Sequence, residues 1–429
     1  MRIVIIAHYF PPVNSSGAKR AEALSKYFTE AGHHVTVLTT TKTSADGEFT
    51  EVVPPGVNVV ELSWAGRERP SRETAEAFEP MYIGKPSLKR RIKDTVMRAL
   101  GQIPDTRLPF SLSMLAPWFS QSAKNELRSA DIVIGTTPPW PMVFAALICK
   151  WRFGKPCILD YRDHFSECHE MPGGPFAKRI EKIIDRRLAG AADHLVCISD
   201  PMSEYYSTMA KQVTTIRNGY DGELIDKARA LAQPESDGHV TIRYMGIVSP
   251  GRVPYHVLEA LVELERTAPA QFAKLRFQYF GNTALIDEAL RKQYPSIRSA
   301  FFFFSAVPYL ESLTKITEAD YLLFSETSLK NSISAQGILT TKLFEYVGSG
   351  RPIIADISPD TLAGSLLVRC SSRNVVGNVT GTFTRMFNVP SFYERKPDEY
   401  SPLSESLSRK SQAGEYLTVI TKTLAKGRA

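Results

Sequence analysis

Residues Thr340 to Ser358 read TTKLFEYVGSGRPIIADIS, and they contain the unit from which the whole fold is built. A threonine can cap a short helix here, and Gly350 followed by Pro352 ends that helix. The segment PIIAD then has the continuous apolar character of a strand that is buried on both faces. A helix that leads directly into a buried strand is the repeating unit of a parallel sheet covered by helices, so this stretch predicts an α/β fold.

Strands and helices alternate in the same way along the rest of the chain. Short apolar segments recur in two series, and helical stretches separate them. The first series is RIVIIA (2–7), HVTVLTT (34–40), DIVIG (131–135), PCILD (156–160), HLVCIS (194–199) and VTTIRN (213–218), and the second is TIRYMG (241–246), LRFQYFG (275–281), FFFFSAV (301–307), DYLLF (320–324) and PIIAD (352–356). The polar residues from Asp221 to His239 between the two series predict a linker. We therefore expect two doubly wound domains, residues 1–220 and 221–400, that face a cleft and bind ligands at the carboxyl ends of their strands.

Composition places the chain among ordinary globular proteins. It has 429 residues, of which 43% are hydrophobic and 23% charged. No apolar run reaches the roughly 18 to 20 residues that a membrane span needs, and the start MRIVIIAHYFPP predicts a first strand rather than a signal peptide. The five cysteines are scattered, odd in number and without a CxxC pair, which favours a reducing cytoplasm over a disulfide framework.

The sequence gives little support for a metal or a bound cofactor. His164, Cys168 and His169 lie close together, but a fourth ligand at a suitable spacing is missing. The loop after the first strand, PPVNSSGAKRA, has the single glycine Gly17 in place of a G-x-G-x-x-G fingerprint, which argues against a nicotinamide cofactor. We expect neither a metal nor a cofactor.

The formal net charge of +7 favours an acidic partner, such as phosphate, nucleic acid or an anionic membrane surface. Part of this charge lies in SLKRRIKDTVMRAL, residues 87–100, where five cations surround one apolar helical stripe. The stripe consists of Leu88, Ile92, Val96 and Leu100. Two interpretations stay open, an amphipathic helix lying on anionic lipid and a surface helix docked on its own domain.

The opening stretch places Lys342 and Glu345 one turn apart at the start of its helix. A helix N-terminus carries partial positive charge and free N–H groups, so a lysine there favours an external anion such as phosphate. Glu345 could accept hydrogen bonds from two neighbouring hydroxyls, as a ribose offers. The alternative is an ordinary surface pair that stabilises the helix by roughly 0.2 to 0.5 kcal/mol.

Several segments resemble glycosyltransferase family 4, whose members have the two-domain GT-B fold. KLFEYVGSGRPIIA after DYLLF is similar to the donor-binding segment of that family, and AHYFPPVNSSGAKRAEALSKYFTEAGHHVTVLTT to its first strand, loop and helix. DIVIGTTPPWP, CILDYRDHF, AADHLVCIS and TTIRNGYD follow in the order of the family, over nearly the full length. The resemblance implies transfer of a sugar from a nucleotide diphosphate donor, of UDP or GDP type, with the donor on the second domain and the acceptor on the first. It also implies a C-terminal helix, within 401–429, that returns toward the first domain.

The resemblance assigns roles to residues of the second domain. Glu345 matches the ribose-binding glutamate of the family. A second glutamate, eight positions earlier in many members, is replaced by Gly337, so backbone N–H groups around Gly337 and Ile338 are expected to contact the sugar or diphosphate. Tyr309 falls in the loop that frames the nucleotide base.

The cations that neutralise the diphosphate depart from the family pattern. The arginine position after the first strand of the second domain is Ile247, and Arg252 stands where a lysine is usual. We hypothesise that Arg252 and Lys342 share the contact with phosphate. Positive groups aimed at the leaving diphosphate would stabilise the transition state without a metal.

In the first domain, DYRDHF places Arg162, Asp163 and His164 at the carboxyl end of a strand. The Arg-Asp pair resembles a subset of the family, and Asp163 could orient an acceptor hydroxyl or the donor sugar. Arg162 could bind ligand or form a structural salt bridge with Asp163. His164 is expected to be exposed on the loop.

Around the first loop, Gly17 could allow close approach of the donor phosphates or the acceptor. Lys19 and Arg20 follow on the first helix. They could attract a phosphate on the acceptor or could be solvated.

The functional prediction is a retaining, metal-independent glycosyltransferase of bacterial surface glycan synthesis. Its acceptor would be lipid-linked or a polysaccharide, and the enzyme would lie in the cytoplasm, on the inner face of the membrane, without nucleic acid as a partner. Two alternatives stay open. One is a nucleotide-sugar epimerase or hydrolase of the same fold. The other is a non-catalytic sugar-nucleotide-binding scaffold, suggested by Gly337 and Ile247.

Overall fold

The computed structural model describes residues 1–42, 46, 48–62, 95, 120–168, 174–234, 237–326, 337 and 339–426. Contacts divide the chain into two compact units. The first comprises Met1–Arg217, Ser332–Gly337 and Gln412–Ala429, and the second comprises Asn218–Asn331 and Ile338–Ser411. The predicted amphipathic segment 87–100, apart from Thr95, and the predicted ligand contact Ile338 lie outside the described residues.

The first unit is built on a seven-stranded parallel sheet with the strand order β5-β3-β1-β6-β7-β8-β9. Its elements in chain order are β1 (Arg2–Ile6), β2 (Val13–Asn14), α1 (Ala18–Glu30), β3 (His34–Thr40), β4 (Glu48–Phe49), β5 (Asn58–Leu62), α2 (Gln121–Ser129), β6 (Ile132–Thr136), α3 (Pro141–Phe153), β7 (Cys157–Tyr161), α4 (Pro175–Ala191), β8 (His194–Cys197), α5 (Asp200–Ser207) and β9 (Val213–Thr215). The short strands β2 and β4 pair separately and antiparallel.

The second unit has a six-stranded parallel sheet with the order β12-β11-β10-β13-β14-β15. Its elements are α6 (Gly222–Leu231), β10 (Val240–Met245), a 3₁₀ turn (Pro250–Arg252), α7 (Tyr255–Thr267), α8 (Pro269–Phe272), β11 (Leu275–Phe280), α9 (Ala284–Gln293), a 3₁₀ turn (Pro295–Ala300), β12 (Phe301–Phe304), α10 (Tyr309–Glu318), β13 (Tyr321–Ser325), α11 (Thr341–Ser349), β14 (Ile353–Asp356), α12 (Leu362–Cys370), β15 (Val375–Gly377), α13 (Thr380–Phe387), a 3₁₀ turn (Pro390–Tyr393) and α14 (Pro402–Ser406).

Burial on both sheet faces explains why the strands are continuously apolar. In β1, Val4 and Ile6 belong to one hydrophobic cluster, while Ile3 and Ile5 belong to another on the opposite face. Successive side chains of a strand point to opposite faces, so each face needs its own apolar set. Two parallel sheets covered by helices confirm the predicted α/β, doubly wound fold.

The last helix, α15 (Arg409–Lys426), supplies part of the core of the first unit from Gln412 onward. Tyr416 and Ile420 are fully buried in the cluster that contains Ile3 and Ile5. The Tyr416 ring lies 5.9 Å from that of Phe28 on α1, between ring centroids. The expected return of the C-terminal helix to the first domain is therefore present.

One strand differs from the sequence prediction. The segment 301–307 was expected to be a buried strand, but β12 ends at Phe304, and Phe302 and Phe304 are 41% and 42% exposed. The reason is that β12 lies at the edge of its sheet, where one side of the strand has no neighbour.

In the described part of the chain, no helix has both the length and the apolar character needed to cross a membrane.

Candidate functional site

The helix of the opening stretch, α11, begins with an N-terminus that no side chain caps within the described residues. Thr340 holds the N-cap position, but its hydroxyl accepts no hydrogen bond from the first turn and is buried without a partner. Gly350 ends the helix in the left-handed conformation, at φ 73°. Leu343 and Phe344 are fully buried, so α11 is fixed by its apolar face, and a helix N-terminus without a side-chain cap suits an anion.

Lys342 lies in the first turn of α11 with its ammonium over an aromatic ring. Its Nζ is 3.7 Å from the ring centroid of Tyr244 on β10. Gly246 follows β10 at φ +104°, a conformation that favours glycine, and the Lys342 side chain packs against it. Burial, followed by the positive charge of Arg252, lowers the pKa of Lys342 to about 7, although Glu326 and Glu345 act in the opposite direction. An anion at this place would offset both effects.

Arg252 has a carboxylate partner that the sequence did not indicate. Its Nε donates to Glu326 Oε1 at 2.6 Å, and its backbone carbonyl accepts from Ser325 Oγ at 2.6 Å. Glu326 directly follows β13, so both side chains belong to the carboxyl edge of the sheet. The structure therefore brings Lys342 and Arg252 into one electrostatic cluster, in which Glu326 is the counter-charge.

Glu345 is held by groups from two other elements of the same unit. Tyr309, the first residue of α10, donates its hydroxyl to Glu345 Oε1 at 2.9 Å. Arg409 is 7% exposed, and its Nε donates to the carbonyl of Gly219 at 3.0 Å. Burial disfavours the charge of Arg409, yet neighbouring Tyr309, Asp221 and Glu345 raise its pKa above the ordinary value. A carboxylate placed in this way is suited to accept hydrogen bonds from the hydroxyl groups of a bound ligand.

Tyr309 and Gly337 are the other described residues that the sequence assigned to the donor. Tyr309 contacts Glu345, while its predicted position beside a nucleotide base stays a prediction. Gly337 is buried and belongs to the first unit. Its predicted contact with sugar or diphosphate also stays a prediction.

In the first unit, Arg162 is bound to main-chain carbonyl oxygens. Its guanidinium donates to Gly17 at 2.6 Å, to Pro138 at 3.1 Å and to Thr137. These carbonyls lie in the loops that follow β1 and β6, so Arg162 joins three loops at the carboxyl edge of the sheet. These contacts are structural and were not among the interpretations that the sequence left open, while binding of a ligand by Arg162 stays a prediction.

Asp163 and Gly17 also lie at this edge. Asp163 is exposed directly after β7, where an acceptor hydroxyl could reach it, and its predicted role stays a prediction. Gly17 packs closely on Tyr9, since a Cβ there would lie 3.0 Å from the ring and the ring would have to shift. This close contact, in addition to the predicted approach of a ligand, explains a glycine at this position.

One of the two interpretations of Lys19 and Arg20 on α1 is wrong. Neither residue is solvated, because both are buried, while attraction of a phosphate stays a prediction. Lys19 Nζ lies 2.9 Å from Glu51 Oε2. Arg20 donates to both carboxylate oxygens of Asp160, from Nη2 to Oδ1 at 2.8 Å and from Nε to Oδ2 at 2.9 Å. A buried arginine needs such a bidentate partner to offset its desolvation.

The expectation that His164 is exposed is also wrong. It is 4% exposed and packs against two tyrosine rings, with centroid separations of 5.1 Å to Tyr205 and 5.6 Å to Tyr206. His8, which the sequence argument did not single out, is buried after β1 with its Nε2 3.1 Å from Asp46 Oδ1. Its position directly after the first strand was the available signal.

Among the described residues, no group of three or more histidine, cysteine, aspartate or glutamate side chains is arranged to hold a metal ion. Only an activity assay with and without a chelator tests the need for a metal, so metal independence stays a prediction.

Comparisons with known proteins agree with this architecture. Residues 16–219 match the family model of the glycosyl transferase 4-like domain. Sucrose-phosphate synthase from Thermosynechococcus elongatus superimposes with a TM-score of 0.60 at 13% identity, over 99% of each chain. HepE of Anabaena, solved in complex with UDP, gives 0.59 at 13% identity over 98% of this chain and 100% of that one.

The fold extends to proteins with other activities. UDP-GlcNAc 2-epimerase from Methanocaldococcus jannaschii superimposes with a TM-score of 0.53 at 9% identity, over 98% of this chain and 100% of that one. No curated protein matches the sequence significantly. At such identities, the structural likeness concerns the fold alone.

The fold and the domain match together define the class: the protein is a glycosyltransferase with the GT-B fold. Its residues 16–219 form a glycosyl transferase 4-like domain, in agreement with the resemblance seen in the sequence.

Proposed function

We propose that this enzyme transfers a sugar from a UDP- or GDP-type donor to a lipid-linked or polysaccharide acceptor in bacterial surface glycan synthesis. The observation that carries the proposal is the Lys342 ammonium beside an uncapped helix N-terminus, with Arg252 in the same cluster. Such a cluster of positive groups suits a diphosphate. The UDP bound to the structurally similar HepE supports a nucleotide diphosphate as the donor type.

The chemistry follows from where charge develops. Cleavage of a glycosyl–phosphate bond adds negative charge to the leaving diphosphate, so fixed positive groups stabilise the transition state more than the ground state. Lys342 and the first N–H groups of α11 would supply this stabilisation without a metal. Arg252 would contribute once a phosphate oxygen replaces Glu326 as its partner.

The other residues have supporting roles in this proposal. Glu345, which accepts a hydrogen bond from Tyr309 and has Arg409 as a charged neighbour, would accept hydrogen bonds from the ribose hydroxyls of the donor. Asp163 in the first unit would orient the acceptor hydroxyl. Retention of anomeric configuration and a position on the cytoplasmic face of the membrane are carried over from family 4.

A nucleotide-sugar epimerase or hydrolase is the second candidate. It is suggested by the fold that the chain shares with UDP-GlcNAc 2-epimerase from Methanocaldococcus jannaschii, whereas Gly337 suggests the non-catalytic scaffold. This candidate predicts that a donor is consumed when no acceptor is present. Release of nucleotide without acceptor, measured against a reaction that contains acceptor, separates the two functions.

The proposal is tested by screening nucleotide sugars for a rise in melting temperature, followed by transfer assays with and without a chelator. A ligand that binds only the folded state raises the Tm. The parent and Lys227→Met, which removes an exposed lysine from α6, should be stabilised equally, while Lys342→Met should lose the response. A nucleotide sugar that stabilises Lys342→Met as strongly as the parent would refute the site.

A further inference from the structure

The outer face of α4 in the first unit carries three arginines and two large apolar residues in one stripe. The residues Phe176, Arg179, Ile183, Arg186 and Arg187 are all exposed. Their spacing of three or four residues places them on one side of the helix. Phe176 is 78% and Ile183 50% exposed, values far from those of core residues. We call this stripe the α4 face.

The carboxylates of α4 point the other way. Glu181 and Asp185 are both fully buried. Glu181 lies 3.0 Å from Lys178 Nζ, and Asp185 accepts from Ser166 Oγ at 2.7 Å and Tyr206 Oη at 3.0 Å. The α4 face therefore presents positive charge without the acidic residues of its own helix.

The cations of the α4 face are not neutralised by neighbours. Lys182, at the border of the stripe, forms an ion pair with Glu167 at 3.0 Å and is not part of the α4 face. Arg179, Arg186 and Arg187 form no ion pair with any residue that the structure describes. The same stripe therefore contains three arginines without an ion-pair partner among the described residues and two exposed apolar side chains.

A second exposed aromatic residue lies at the far end of α4. Lys150 Nζ donates to the carbonyl of Ala191 at 2.8 Å, which joins the end of α3 to the end of α4. The next residue on α3, Trp151, is 77% exposed, and Arg152 is exposed beside it. Apolar and cationic side chains therefore flank the helix at both ends.

We propose that the α4 face binds the enzyme to an anionic lipid bilayer. Phosphate headgroups complement the three arginines, and Phe176 and Ile183 can enter the boundary between headgroups and acyl chains. A nucleic acid would complement the charge but would leave these apolar side chains in water. A second copy of this chain would bring like charges together.

The position of α4 agrees with this assignment. The inference deepens the proposed function and rests on it, because the lipid-linked acceptor is part of that proposal. The helix begins after β7, and Asp163, the candidate acceptor residue, lies in the connection between them. The N-terminal end of α4, with Phe176, is thus at the same edge of the sheet as Asp163. A bilayer along α4 would present its lipid-linked acceptor at that edge.

Sedimentation of the full chain with vesicles tests the proposal. The parent should bind vesicles that contain phosphatidylglycerol, bind poorly to phosphatidylcholine alone, and lose affinity as salt increases. Changing Arg179, Arg186 and Arg187 together to alanine should weaken binding by at least about tenfold. Phe176→Ala with Ile183→Ala should weaken it too, at unchanged net charge.

The matched control changes Lys227, Arg369 and Arg385, three exposed cations of the second unit, to alanine and should bind vesicles like the parent. Equal loss in the control would show a net-charge effect and overturn the assignment. Binding that survives the arginine changes but is lost when Lys89, Arg90 and Arg91 become alanine would move the membrane contact to the segment 87–100. A dimer abolished by the arginine changes would show a second copy as the occupant instead.

Nucleotide binding separates this proposal from the proposed function. The arginine variant should keep the thermal response to nucleotide sugar of the parent, because its substitutions lie in the first unit and Lys342 lies in the second. Vesicle binding without any nucleotide response would overturn the transferase proposal and leave the α4 face intact.

Discussion

At the scale of single residues, Lys342 has the most informative environment. A lysine with a pKa of about 7 is only partly charged near neutrality, which is unfavourable for a structural residue. Tyr244 stabilises the ammonium through its ring, but burial and Arg252 oppose the charge. The arrangement is suited to a ligand that brings negative charge.

The lowered pKa predicts proton uptake when a diphosphate binds. A bound diphosphate raises the pKa of Lys342 again, so binding above pH 7 requires a proton, while below pH 7 the lysine already carries it. The affinity for UDP should therefore fall as pH rises above about 7, by up to about tenfold per pH unit. Calorimetry at pH 8 in buffers of different ionisation enthalpy should show close to one proton taken up.

Lys342→Met is the matched variant for this measurement. It should bind UDP weakly, without proton uptake, and Lys227→Met should behave like the parent. Proton uptake that persists in Lys342→Met would assign the titrating group to another residue.

Glu326 predicts a gain of affinity on mutation. Because its carboxylate occupies Arg252 in the absence of ligand, Glu326→Gln should free the arginine and raise the affinity for UDP several-fold. Isothermal titration of Glu326→Gln and of Arg252→Ala tests this, since the second variant should bind more weakly than the parent. Weaker binding in both variants would show that Glu326 serves the ligand rather than competing with it.

At the scale of elements, the contrast between α11 and α15 shows two uses of a helix. In α11 the apolar face is buried and the first turn is open to a ligand, while α15 contributes core side chains to the first unit. Tyr416 is fully buried against Phe28, and its ring occupies the space between α15 and α1.

Truncation of Tyr416 should therefore be costly. Removing a large buried aromatic side chain typically destabilises a protein by about 3 to 5 kcal/mol, because a cavity is left. Tyr416→Ala should lower the Tm by roughly 10 °C. Thr418→Ala, at an exposed position of the same helix, should change it little. Calorimetry in which both variants melt alike would show that α15 does not stabilise the first unit.

At the scale of the whole molecule, the sequence predicts the fold better than the partners of its charged residues. The alternation of buried strands and helices is a local signal, which is why both sheets could be expected. Lys342 and Glu345 were also found locally, from their place at a helix start. Ion pairs between residues that are far apart in the sequence could not be predicted from such local patterns.

The failures have one physical origin. Arg20 pairs with Asp160, 140 residues away, and Glu345 has Arg409 as a neighbour that only tertiary structure brings close. His164 is buried because the rings of Tyr205 and Tyr206 cover it. Whether a polar side chain is solvated or paired depends on packing, and periodicity does not report it.

The central claim is that the diphosphate of the donor is received at the start of α11 by Lys342 and Arg252. The most direct measurement is a crystal structure with UDP bound. The account predicts a phosphate oxygen within about 2.7 to 3.2 Å of Lys342 Nζ, with Arg252 turned from Glu326 to the ligand. A diphosphate bound away from both cations, with the Arg252–Glu326 pair intact, would contradict it.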